Sequence, residues 1–112
     1  MIKTALLMIG LDYLWIKYFI GDLFIENVEF IQKEPFVPRI KYAIPAYLSM
    51  LVLYFYFGKN LSVKEMFVFG FCIYAVFDFT NLVIFRRYKW NIAVLDMIWG
   101  GLLFSTCKYF NL

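Results

Sequence analysis

The chain has 112 residues and no histidine, with only two cysteines, three prolines and six glycines. Without histidine there is no base for a Ser-His-Asp triad, and no His ligand for zinc, haem or the iron of a histidine-box desaturase. The glycines form neither a phosphate-cradling loop nor a Thr-Val-Gly-Tyr-Gly filter. Cys72 and Cys107 read as small apolar fillers, with a disulfide or a thiol function as the alternative. Charge is sparse: 17% of residues are charged, for a net +3. The cations flank apolar runs, which suits anchoring at anionic headgroups and excludes a nucleic-acid partner. No cofactor and no metal are expected.

What the chain has instead is apolar surface. It is 64% hydrophobic and 23% aromatic, with a mean hydropathy of +0.75, too apolar to leave a soluble exterior around one small core. Four apolar stretches, about residues 2–23, 42–57, 66–85 and 92–110, each approach the ~20 residues that cross a bilayer as a helix. The expected fold is therefore all-α: a single integral membrane domain, a bundle of four transmembrane helices in lipid. The second stretch is short and has Ile40 and Leu61 to recruit at its ends. The first is read as a helix rather than a cleaved signal, because no small-residue cleavage site follows and Trp15 to Ile20 prolongs it. Residues 25–32 read either as a short interfacial helix or as an ordinary loop. Lys33, Arg39, Lys41, Arg86, Arg87 and Lys89 lie in or beside the first and third connections, against Lys3, Lys59, Lys64 and Lys108 at the opposite end. By the positive-inside rule both termini then face away from the cytoplasm. Tyr88 and Trp90 look like part of an interfacial aromatic belt.

Three acids sit where lipid should be. Leu11-Asp12-Tyr13-Leu14-Trp15 and Leu95-Asp96-Met97-Ile98-Trp99 repeat one Leu-Asp-x-x-Trp device, and the third stretch carries Asp78 and Asn81 three positions apart. A charged residue at the bilayer centre costs about 2.5–3.5 kcal/mol even on the lenient insertion scale, so each acid needs partners or a purpose. With 1.5 Å rise per residue, all lie about 8–16 Å below the side of the first and third connections. The first and fourth helices run antiparallel, so Asp12 comes level with Trp99 and Asp96 with Trp15, allowing reciprocal carboxylate–indole bonds. Tyr74 shares a helical face with Asp78 and Asn81, and Tyr47 reaches a similar depth from the second helix. Asp12, Asp78, Asn81 and Asp96 are the candidate ligand- or ion-binding residues, supported by Trp15, Trp99, Tyr47 and Tyr74. Clustered acids repel, so one of them must keep a proton or hold a cation.

These blocks also resemble a known family. Asp-x-x-Trp near the N-terminus, Phe77-Asp78-Phe79-Thr80-Asn81, Trp90 nine residues later, and Asp96 to Gly100 as Asp-x-x-Trp-Gly are similar to small membrane proteins catalogued as domain of unknown function 2177. Phe77 stands where that family usually has Tyr, and Val83-Ile84 where it tends to Ala-Thr, which removes a hydroxyl at position 77. The resemblance covers almost the whole chain and implies four membrane helices. Its bacterial members often neighbour cyclopropane-type fatty-acid modification enzymes, which implies a link to lipid chemistry. Three functions follow as expectations. The first is a non-enzymatic cluster that binds or conducts a proton, a monovalent cation or a small polar ligand, as a homo-oligomer where conduction is involved. The second is a scaffold locked by polar bonds. The third is a lipid-modifying enzyme or its accessory, with Asp78 or Asp96 as general acid or base.

Overall fold

The structure is a computed structural model that describes residues 1–110 and is 84% helical. Among the described residues four helices are long and apolar enough to span a bilayer: α1 (Ile2–Gln32), α2 (Ile40–Phe57), α3 (Val63–Ile84) and α4 (Trp90–Phe110).

Two ends differ from the sequence expectation. Residues 25–32 form neither a separate interfacial helix nor a loop: they continue α1 to Gln32. Leu23, Ile25 and Phe30 keep the helical pattern apolar beyond Asp22, and no Gly or Pro interrupts it before Pro35. The helix then stops at Lys33, which takes a left-handed φ of 58° and returns its N–H to the Glu29 carbonyl. At 31 residues, α1 is about 46 Å long against a hydrocarbon core of about 30 Å, longer than one straight crossing requires. The start of α3 also comes earlier, at Val63. A capping box accounts for it: the Glu65 N–H donates to Ser62 Oγ at 3.1 Å, and the Ser62 N–H donates to Glu65 Oε1 at 2.9 Å. At α2, Ile40 is recruited and Leu61 is not.

Helices α1 and α2 each contain a widened π-turn, at Trp15–Ile20 and Leu53–Phe57. In α1 the wider turn presses the Ile16 carbonyl against Gly21, where any Cβ would collide with that carbonyl carbon and oxygen. Glycine at 21 is therefore what allows the helix to return to α geometry.

Helices α3 and α4 pack antiparallel along their length because small residues let the backbones approach. A Cβ at Gly70 would stand 2.6 Å from Phe104 Cβ, and one at Gly100 would stand 2.7 Å from Tyr74 Cβ. Helix α1 closes over α4. An apolar cluster of Met8, Tyr54, Met66, Leu103, Phe104 and Cys107 fills one end of the bundle, and Tyr88, Ala93 and Met97 fill the other. Outward residues such as Val76 and Val83, the latter 85% exposed, present an apolar exterior suited to lipid. Cys72 is exposed, Cys107 is buried, and both are free thiols.

Replacing Gly100 with Leu forces α3 and α4 apart and is expected to cost about 1–3 kcal/mol or more, read as a lower Tm in detergent. Gly10→Leu is the control: a Cβ there meets nothing within 4 Å, so its Tm should stay at the wild-type value.

Candidate functional site

Between the two apolar clusters lies a polar layer built around one acid. Asp12, on α1 and 5% exposed, accepts a hydrogen bond from each of the other three helices. Tyr47 of α2 donates to Oδ2. Tyr74 of α3 donates to Oδ1 at 3.1 Å, and Trp99 Nε1 of α4 donates to the same oxygen at 2.9 Å. The spacing explains the convergence: Asp12 and Trp99 come level because α1 and α4 run antiparallel, and Tyr74 stands one turn from Asp78 on the same face of α3. Three neutral donors satisfy the carboxylate without any cation.

The indoles of Trp15 and Trp99 stack with centroids 5.0 Å apart and planes at 5°. Of the two reciprocal carboxylate–indole bonds expected from the repeated motif, one is made, from Trp99 to Asp12. On the other side Trp15 neighbours Asp96, yet its Nε1 is buried without a hydrogen-bond partner. Trp15 keeps regular helical backbone angles (φ −59°, ψ −50°), and the widened turn runs on from it to Ile20.

A second acidic group lies toward the α3–α4 connection. Asp78 is fully buried. Its Oδ1 accepts from the Tyr88 hydroxyl at 2.8 Å, its Oδ2 is buried with no donor, and the Asp96 carboxyl stands within hydrogen-bonding reach. Asn81 lies one turn on, beside the Tyr88 hydroxyl. The eight residues singled out from sequence thus divide into two neighbouring groups: Asp12, Tyr47, Tyr74 and Trp99 in a closed hub, and Asp78, Asp96, Asn81 and Trp15 in an open one.

Two contributors were missed by sequence reasoning. Tyr88 looked like an interfacial aromatic, but it is only 6% exposed and turns inward onto Asp78. Burial first, and then the Asp78 carboxylate, push its phenol above the ordinary range, so Tyr88 stays a donor. The stability this gives is complete below the unfolded phenol value near 10 and is lost as pH climbs toward the folded one. Asn27, 1% exposed, clamps the same turn: its Nδ2 donates to the Arg87 carbonyl at 3.0 Å and its Oδ1 accepts from the Lys89 N–H at 3.1 Å. Its signal in the sequence was an amide on the face that carries Phe24 and Ile31.

Two grooves mark the exterior, about 450 Å³ along α3 between Cys72 and Val83 and about 430 Å³ along α1 between Leu6 and Leu14. Both are apolar, and none of the acids lines either. Among the described residues no three His, Cys, Asp or Glu side chains group as a metal site.

A family model described as "Predicted membrane protein (DUF2177)" matches residues 1–111. No curated protein and no solved structure matches the chain.

Asp12→Ala leaves three donors without an acceptor. At about 1–3 kcal/mol for each buried orphan, it is expected to lose about 3 kcal/mol or more, or to prevent accumulation. Tyr47→Phe removes one bond and should cost about 0.6–1.7 kcal/mol. Reversible unfolding in mixed micelles measures both, and equal losses would contradict the hub.

Proposed function

Because the chain belongs to the DUF2177 family of predicted membrane proteins, we propose that it is a multipass protein that binds a proton, or a monovalent cation in its place, at the Asp78–Asp96 carboxyl pair. The observation that carries this is a pair of orphaned polar atoms flanking Asp96. Asp78 Oδ2 is a buried acceptor without a donor, and Trp15 Nε1 is a buried donor without an acceptor. One proton on Asp96 resolves both. The neutral acid donates its O–H to Asp78 Oδ2, its carbonyl oxygen accepts from Trp15, and Tyr88 holds Asp78 Oδ1 at 2.8 Å. A buried Asp78 carboxylate beside a half-buried Asp96 carboxylate is repelled strongly when both are charged, which also favours a shared proton or an intervening cation. Asn81, beside the Tyr88 hydroxyl, provides an amide to reorient when that proton leaves.

Asp12 has a different role in this proposal. Its three donors leave no room for exchange, which favours the scaffold reading for that acid: it fixes the bundle in which the pair works. Transport across the bilayer is a further step. The apolar grooves along α3 and α1 avoid the acids, which favours a conducting path formed between copies of the chain in a homo-oligomer.

Infrared difference spectroscopy across neutral pH is the direct test. A protonated-carboxyl band is expected in the wild type and should disappear in both Asp78→Asn and Asp96→Asn while helix content holds. A band that survives in both variants would place the proton elsewhere, and no band at any neutral pH would reject the shared proton. If Na⁺ or K⁺ removes the band, the cation occupies the same site. Proton flux into dye-loaded liposomes, abolished by the same variants, would extend binding to transport.

A further inference from the structure

We infer that the turn between α3 and α4 is a binding site for the phosphate headgroup of an anionic phospholipid. Phe85 to Tyr88 close a tight turn, the Tyr88 N–H donating to the Phe85 carbonyl at 3.1 Å, and residues 86–89 place Arg86, Arg87 and Lys89 together with no acid among them. Arg86 and Lys89 are exposed, and neither side chain has an ion-pair partner among the described residues. Arg87 lies over the Phe30 ring at 5.1 Å, which fixes its guanidinium as a cation–π contact while leaving its charge uncompensated.

What separates this turn from an ordinary basic loop is that its backbone is held. Asn27 grips it on both sides of Tyr88, through the Arg87 carbonyl and the Lys89 N–H, and Tyr88 is anchored inward on Asp78. The three cations therefore start from a fixed frame, and a ligand need not order the loop. Depth also agrees. Asn27 stands six residues, about 9 Å, beyond Gly21 on α1, toward the end of a helix longer than one straight crossing requires, which suits a turn at the level of lipid phosphates. Trp90, 71% exposed, extends the site with the aromatic ring favoured at that interface. Acids do occur at this end, Asp22, Glu26, Glu29 and Glu34. Glu29 is already engaged by the Phe36 N–H at 2.6 Å, and none of them lies in the turn.

Native mass spectrometry of the full chain, released from micelles containing phosphatidylglycerol or phosphatidylcholine with the same acyl chains, tests the site. Retained phosphatidylglycerol is expected to exceed phosphatidylcholine by about tenfold, and Arg86→Gln/Lys89→Gln is expected to remove that excess. The paired control Lys59→Gln/Lys64→Gln, at the opposite membrane surface, should retain it. Asn27→Ala alters no charge and should still weaken retention several-fold by releasing the turn. Equal retention of the two lipids, equal loss in both lysine and arginine pairs, or competition by free glycerol phosphate as effective as by the lipid would each overturn the assignment. Because every arm reads lipid retention, failure here leaves the carboxyl pair untouched, and failure of the infrared test leaves the turn untouched.

Discussion

In hydrocarbon, apolar helix faces gain little by choosing one neighbour over another, since lipid tails are as apolar as leucine. Asp12 supplies the missing preference. One carboxylate takes bonds from Tyr47, Tyr74 and Trp99, so α2, α3 and α4 are all referenced to a single point on α1. Sliding α1 by one helical turn, about 5.4 Å, breaks all three bonds at once and leaves three donors and one acid in lipid. Individual bonds of this kind average about 0.6 kcal/mol, which is modest, so the hub acts more on register than on bulk stability. Packing then follows from register. Gly70 meets Phe104, Gly100 meets Tyr74 and Gly101 meets the Phe67 ring only in this alignment.

The two acidic groups differ in their supply of donors. Asp12 has three protein N–H or O–H groups for two oxygens. Asp78 and Asp96 share four carboxyl oxygens, and the clear donor to them is Tyr88 on Asp78 Oδ1. Trp15 is adjacent to Asp96 and misses it. A carboxyl group with a donor for every oxygen needs nothing further, whereas one with an unpartnered buried oxygen has room for one more donor. The same residue type at neighbouring depths is therefore fully bonded in one place and short of a donor in the other, which is why the binding proposal falls on the second.

Much of this arrangement was legible in the residues. Four spans follow from apolar length, and the levels of Asp12 and Trp99 follow from antiparallel helices and a constant rise. Tyr47 and Tyr74 were within reach by depth and phase. The rest depended on features that local pattern does not carry. The π-turn from Trp15 to Ile20 changes the phase of the residues that follow it on α1, which no local sequence pattern announces. Tyr88 lies in a turn, where helical periodicity offers no guide to direction, and aromatic-plus-arginine composition suggests the interface instead. Asn27 lies 60 residues from its partner at Arg87, and only the unbroken continuation of α1 past Asp22 brings the two together.

That continuation also makes the bundle asymmetric. At the α3–α4 end, α1 runs on to Gln32 and ties the turn down through Asn27, whereas at the opposite end the link is lighter, Lys108 Nζ donating to the Lys59 carbonyl at 2.9 Å. The acid pair lies near the braced end: Asp78 and Asp96 are each six residues, about 9 Å, from the ends of their helices at Ile84 and Trp90. The opposite surface is farther away along both helices, past the packed layer of Met66, Phe104 and Cys107. The pair is thus close to the turn side, where Tyr88 bonds Asp78, and separated from the other side by a longer apolar stretch. If the pair binds a proton as proposed, exchange there is one-sided within a single copy of the chain, and the side is set by the turn that Asn27 and Tyr88 hold in place.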